Sequence, residues 1–166
     1  KPVAPSVELS GKYNETYSTK PVAVNGYTLS ATPANAEGKY TDSTPAVTYV
    51  YSANAETVTV NYVDENGKPV ASSVELSGKY NETYSTKPVA VSGYTLSATP
   101  ANAEGKYTDS TSAVTYVYSA NAETVTVNYV DENGKPVAPS VELSGKYNET
   151  YSTKPVAVNG YTLSAT

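Results

Sequence analysis

The sequence predicts a β-rich α+β fold with little helix, built as a tandem array of small modules. Three observations lead there. Lys1, Lys68 and Lys135 open near-copies of one segment, a period of 67 residues (68 − 1 = 135 − 68 = 67). The first two copies differ only at Pro5/Ser72, Asn25/Ser92 and Pro45/Ser112, and the third matches residues 1–32 before the chain stops at Thr166. Repetition at this length and fidelity marks an array of domains. Within each copy, Val, Thr and Tyr alternate in short runs, a β-favouring mixture. Gly, Pro, Asn and Asp separate the runs at turn spacing.

Taken in order, the first element is Glu56–Val63, ETVTVNYV, repeated from Glu123 to Val130. Val58, Val60 and Tyr62 fall on one face and Thr57, Thr59 and Asn61 on the other, the alternation of a strand with one buried face. Asp64-Glu65-Asn66-Gly67 follows as a type I turn, with Gly67 in the left-handed bulge position. A second strand runs from about Lys68 to Leu76. Pro69 lacks an N–H, so this strand belongs at a sheet edge. Gly78–Glu82 reads as another turn. Tyr84–Val91 is ambiguous: Ser85 or Thr86 could cap a short helical turn near Pro88, while the β-branched residues oppose a longer one. Gly93 ends that segment. Tyr94–Thr99 is a third strand, Ala101–Asp109 a loop or short strand, and Val114–Tyr118 the last strong strand. Ser119-Ala120-Asn121-Ala122 joins the next copy as a short, semi-rigid connection.

These boundaries divide the chain into a partial repeat at 1–55 that lacks its first strand, a complete repeat at 56–122, and a partial repeat at 123–166 that lacks its last strand. A small module of this kind buries limited apolar area. No cysteine is present to staple it. A missing strand leaves unpaired backbone. ETVTVNYV at Glu123–Val130 could fill that place in a second molecule, so self-association through the incomplete terminal repeats is expected.

Composition excludes several functions. The chain has no His, Cys, Met, Trp or Phe, and its 11 basic residues meet 16 acids for a net charge of −5. Acidity of this kind removes the basic face that nucleic acid requires. No run approaches the ~20 apolar residues of a transmembrane helix, so membrane insertion is not expected. No signal peptide or initiator Met is present, and the sequence reads as an internal piece of something longer. Catalysis has little to draw on. A serine nucleophile would need Lys or a carboxylate as its base, and Lys20, Lys87 and Lys154, which follow Ser-Thr pairs, stand in no supporting motif. Asp64 and Glu65 are adjacent in a solvated turn, a poor setting for paired-carboxylate chemistry. The chain therefore reads as a non-enzyme.

Binding chemistry is the better prospect. Asp64 and Asn66, with their copies Asp131 and Asn133, offer oxygen ligands suited to calcium. The same residue types favour turns for backbone reasons alone. Tyrosine supplies every aromatic side chain, 17 in all, and can stack on a sugar face while its hydroxyl hydrogen-bonds. Val58, Val60, Tyr62, Val114, Tyr116 and Tyr118 are assigned to the core. Tyr80, Tyr84 and Tyr107, near turns, are assigned to the exposed surface as candidate ligand contacts. The N-x-T motifs at Asn14, Asn81 and Asn148 are ascribed to coincidence copied by duplication.

Three blocks carry a family resemblance: VTVNYVDENGKPVA at Val58–Ala71, GYTLSATPANAEGKYTDS at Gly93–Ser110, and AVTYVYS at Ala113–Ser119. Taken in this order, they resemble the mucin-binding protein (MucBP) repeat of Gram-positive surface adhesins. The resemblance implies small ubiquitin-like β-grasp modules in an elongated array. It places the first and last strands side by side in the sheet centre and the second strand at the edge. It also implies a protein anchored to the bacterial cell wall, outside the cell, that binds mucin glycoproteins or host glycans multivalently. The L-P-x-T-G sorting motif usual in such proteins is absent from this sequence. A passive stalk, or a module binding a host protein such as an immunoglobulin through a sheet edge, are the alternatives.

Overall fold

A computed structural model describes residues 1–165. Among them are twelve strands and no helix. In chain order these are β1 (Thr16–Ser18), β2 (Tyr27–Ala31), β3 (Glu37–Lys39), β4 (Val50–Ala53), β5 (Ala55–Asp64) and β6 (Pro69–Lys79). They continue as β7 (Thr83–Ser85), β8 (Tyr94–Ala98), β9 (Glu104–Lys106), β10 (Val114–Ala120), β11 (Ala122–Val130) and β12 (Pro136–Lys146). The β-rich reading of the repeats is therefore realised. No helix of the described residues is long and apolar enough to cross a membrane.

The middle repeat forms the largest sheet, four strands in the order β6-β5-β10-β8. Its first and last strands, β5 and β10, are neighbours in the centre, and the strand that begins at Pro69 lies at the edge. Strand β8 pairs antiparallel with β10 through a bulge between Val117 and Tyr118. The short strands β7 and β9 make a separate antiparallel ribbon, Tyr84 facing Gly105. The flanking repeats reproduce parts of this plan. In the first, β1 pairs with β3 and β2 with β4. In the third, β11 pairs with β12 from Ala122↔Lys146 to Val130↔Pro136.

Two compact units are present. One comprises Lys1–Asn61, Ser73–Lys87 and Pro100–Val114; the other comprises Tyr62–Ser72, Pro88–Thr99 and the chain from Thr115 onward. The buried side chains of the first are Val58, Val60, Tyr84, Tyr107 and Val114, and those of the second Tyr62, Tyr116 and Tyr118. Tyr62 and Tyr116 stack with ring centres 5.9 Å apart. The six residues that alternation assigned to the core are all buried, because every second side chain of a strand meets the same face. Tyr replaces Phe in this core, and a buried Tyr needs somewhere to put its hydroxyl.

That need decides the ambiguous segment. The Tyr118 hydroxyl donates to the Val89 carbonyl at 2.7 Å and accepts from the Val89 N–H at 3.0 Å. In the first repeat Tyr51 holds Val22 in the same way, at 2.6 and 3.0 Å. A residue whose N–H and C=O are both committed to one side chain has neither to give to a helical turn. The stretch from Thr86 to Val91 accordingly has no regular structure, and the helical turn considered near Pro88 does not form.

The turns follow their residues closely. Gly67 donates to the Asp64 carbonyl at 3.0 Å with φ +83°, and Asp64 N–H donates to Lys68 at 2.8 Å. This is the expected type I turn with a left-handed glycine. The next turn is later than expected: β6 runs through Gly78 to Lys79, and the turn is Lys79–Glu82, closed by Glu82 N–H to the Lys79 carbonyl at 2.9 Å. Its third residue, Asn81, has φ +71°, and Asn14 and Asn148 have φ +70° in the copies. A type II turn requires positive φ there, and Asn tolerates it. The asparagine of each N-x-T motif is thus a turn residue.

Candidate ligand-binding surface

Tyr84 sits at the centre of β7 with only 7% of its surface exposed, and Tyr107 is 5% exposed. Both were expected on the surface, and both are core. The cause is a pair of glycines. Gly105, opposite Tyr84 in the ribbon, has no side chain, and a Cβ there would lie 2.9 Å from the Tyr84 hydroxyl. Gly78 leaves the space that the Tyr107 ring fills. The two rings then meet edge to face, with centres 5.6 Å apart, an arrangement favoured by their quadrupoles. The Tyr84 hydroxyl donates to the Asn102 carbonyl at 3.0 Å. Proximity to a turn placed these tyrosines outside; Gly105 and Gly78, which leave room for their rings, were the signal for the opposite.

Tyr80 is separate from that pair. It is half-buried, packed edge to face on Tyr27 at 5.6 Å and over the bare backbone of Gly26. The three candidate tyrosines therefore do not form one cluster. What the ribbon does present outward is polar. Thr83 and Ser85 on β7 and Glu104 and Lys106 on β9 are exposed, and they line a shallow hollow with Gly105 and Tyr84. The first repeat carries the same residues at Thr16, Ser18, Glu37 and Lys39.

Asp64 Oδ1 accepts from the N–H groups of Asn66 and Lys68, both at 2.9 Å, and Asp131 repeats this with Asn133 and Lys135. The turn uses that carboxylate oxygen to satisfy its own backbone. Among the described residues, no three acidic, His or Cys side chains gather as metal ligands would.

Two ionisable groups are displaced. Burial, then the neighbouring Tyr118 and Tyr116, raise the Tyr62 phenol above its usual 10.0. Hydrogen bonding to Asp109, then burial, then the Asp109 charge raise Glu56 above 4.5. Glu56 Oε2 is buried without a hydrogen-bond partner. Glu56 is the second residue of β5 and Asp109 lies in the loop after β9, 53 residues on in the sequence; nothing in their spacing announces the meeting.

The MucBP-domain family model matches residues 1–52, 57–119 and 124–166. Internalin J of Listeria monocytogenes serotype 4b is 45% identical over 99% of this chain, which spans 19% of that protein. Internalin I of L. monocytogenes serovar 1/2a is 31% identical over 93% of the chain, spanning 9% of its length. Muramidase-released protein of Streptococcus suis is 34% identical over 68% of the chain.

Proposed function

Because the chain belongs to the MucBP-domain family, we propose that it is a surface-adhesin segment, displayed on a Gram-positive cell wall, that binds mucin or host glycans multivalently. Repetition of one exposed polar ribbon supports this reading. Thr83, Ser85, Glu104 and Lys106, and their copies Thr16, Ser18, Glu37 and Lys39, supply hydroxyl, carboxylate and ammonium groups that suit a sugar's hydroxyls. One such ribbon binds weakly alone, and two on one chain gain through effective concentration. Tyr84 contributes the rigid floor beneath, and Tyr107 supports it.

The test is retention on immobilised mucin and on a glycan array, with and without calcium because of the oxygen-rich turns at Asp64 and Asp131. Glu104→Ala with Lys106→Ala removes one ribbon's charged pair; adding Glu37→Ala and Lys39→Ala removes both. The first pair should weaken retention by on the order of 10²-fold through lost avidity, and the four together should abolish it. Unchanged retention by the fourfold variant rejects the ribbon as the site, and no retention by the parent chain rejects the reading. In that event the chain is a spacer, a second reading favoured by one observation: the connections between repeats are built from ordered contacts.

A further inference from the structure

Only one residue separates the last strand of one repeat from the first strand of the next: Asn54 between β4 and β5, and Asn121 between β10 and β11. That residue is tied on both sides. Asn54 N–H donates to the Gly26 carbonyl at 2.8 Å, and its own carbonyl accepts from Tyr80 N–H at 2.9 Å. The Thr28 hydroxyl donates to Asn54 Oδ1 at 2.6 Å. Asn121 repeats each bond with Gly93, Tyr147 and Thr95. Across the joint, Tyr80 lies over Gly26 and against Tyr27, and Tyr147 lies over Gly93 and against Tyr94, both pairs at 5.6 Å and 65°. A side chain on either glycine would overlap the ring. Each joint falls inside one compact unit.

We infer that the Gly-Tyr step is a docking platform whose partner is the turn tyrosine of the following repeat, so that specific side-chain contact, and not linker length, fixes one repeat against the next. The occupant is a further copy of the same repeat, because that is what occupies both platforms seen here. The unmatched halves behave as expected of an interface left open. Tyr13, the counterpart of Tyr80, is 73% exposed, and Tyr161, on a platform with nothing near Gly160, is 57% exposed.

The cysteine-free chain allows two spin labels to be placed at will. Labels at the exposed positions Lys39 and Glu75 span the first joint, and labels at Glu75 and Lys106 report the middle repeat alone. In the full chain, the joint-spanning pair should give a single narrow distance. Tyr80→Ala should lose it, Tyr80→Phe should keep it, and Tyr13→Ala, which removes the same residue from an unoccupied turn, should leave it unchanged. The second pair should stay narrow throughout, separating loss of the joint from loss of the fold. An unchanged distribution in Tyr80→Ala, or a parent chain already as broad as that variant, overturns the inference. Equal broadening in Tyr13→Ala does so as well.

Discussion

The heptapeptide VTYVYSA occurs twice, at Val47–Ala53 and Val114–Ala120, with different outcomes. In the middle repeat it is a seven-residue strand, with Val114, Tyr116 and Tyr118 at most 2% exposed. In the first repeat only Val50–Ala53 is strand, and Val47, Tyr49 and Tyr51 are half-buried. The residues are the same, and so is the neighbour on one side, β2 or β8. The difference is the strand on the other side: β10 has β5, whereas β4 pairs with β2 alone. Strand propensity is thus permission, and a partner strand decides length and burial. The first strand makes the same point. Val58, Val60 and Tyr62 are buried, while their copies Val125, Val127 and Tyr129, paired only with β12, are half-buried.

The largest expected effect tests this contrast directly. Tyr116→Ala should cost the middle repeat about 3–5 kcal/mol, the range for emptying a large buried site. Tyr49→Ala, the same change in the same peptide, should cost about 1 kcal/mol, as for an ordinary partly exposed position. Urea unfolding of the 166-residue chain measures both, and equal losses would mean that the missing partner is irrelevant. Smaller, and equal in two places, is the turn contribution. Asp64→Ala and Asp131→Ala should each cost about 1 kcal/mol, since each removes an oxygen that holds two backbone amides. Unequal losses would show that these hairpins depend on their surroundings after all.

The smallest effect is a pH slope. Glu56 binds its proton more tightly in the folded chain than in the unfolded one, because its pKa is raised beside Asp109. Its contribution to stability is therefore present below pH 4.5 and is lost as the pH climbs through the raised folded value. Glu56→Gln should flatten that part of the stability–pH curve. Glu123→Gln in the 166-residue chain should leave it intact, because the position equivalent to Asp109 falls outside these residues. A slope that survives Glu56→Gln assigns it to other carboxylates.

Much of the fold was legible because it rests on local rules. Alternation found the faces of β5 and β10, Pro69 found the sheet edge, and Asp64 with Gly67 found the hairpin. The misreadings share a different cause. Tyr84 and Tyr107 looked like surface residues because turns are usually outside; their burial depends on Gly105 and Gly78, which make room across a ribbon or a sheet. The segment around Pro88 was undecided because its fate depends on a hydroxyl 29 residues away, on Tyr118. Long-range pairing of this kind has no period to detect. The candidate site was legible only in kind: tyrosine was recognised as the dominant chemistry, but most of it is spent on packing and on the joints. The exposed groups of the ribbon are Thr, Ser, Glu and Lys.

The single asparagine between repeats also bears on how such a chain changes over generations. Both halves of the joint, the Gly-Tyr step and the turn tyrosine, lie within every 67-residue unit. An in-register exchange between misaligned gene copies that adds or removes one unit therefore restores every junction intact. Length can be altered in whole steps without any new surface having to arise.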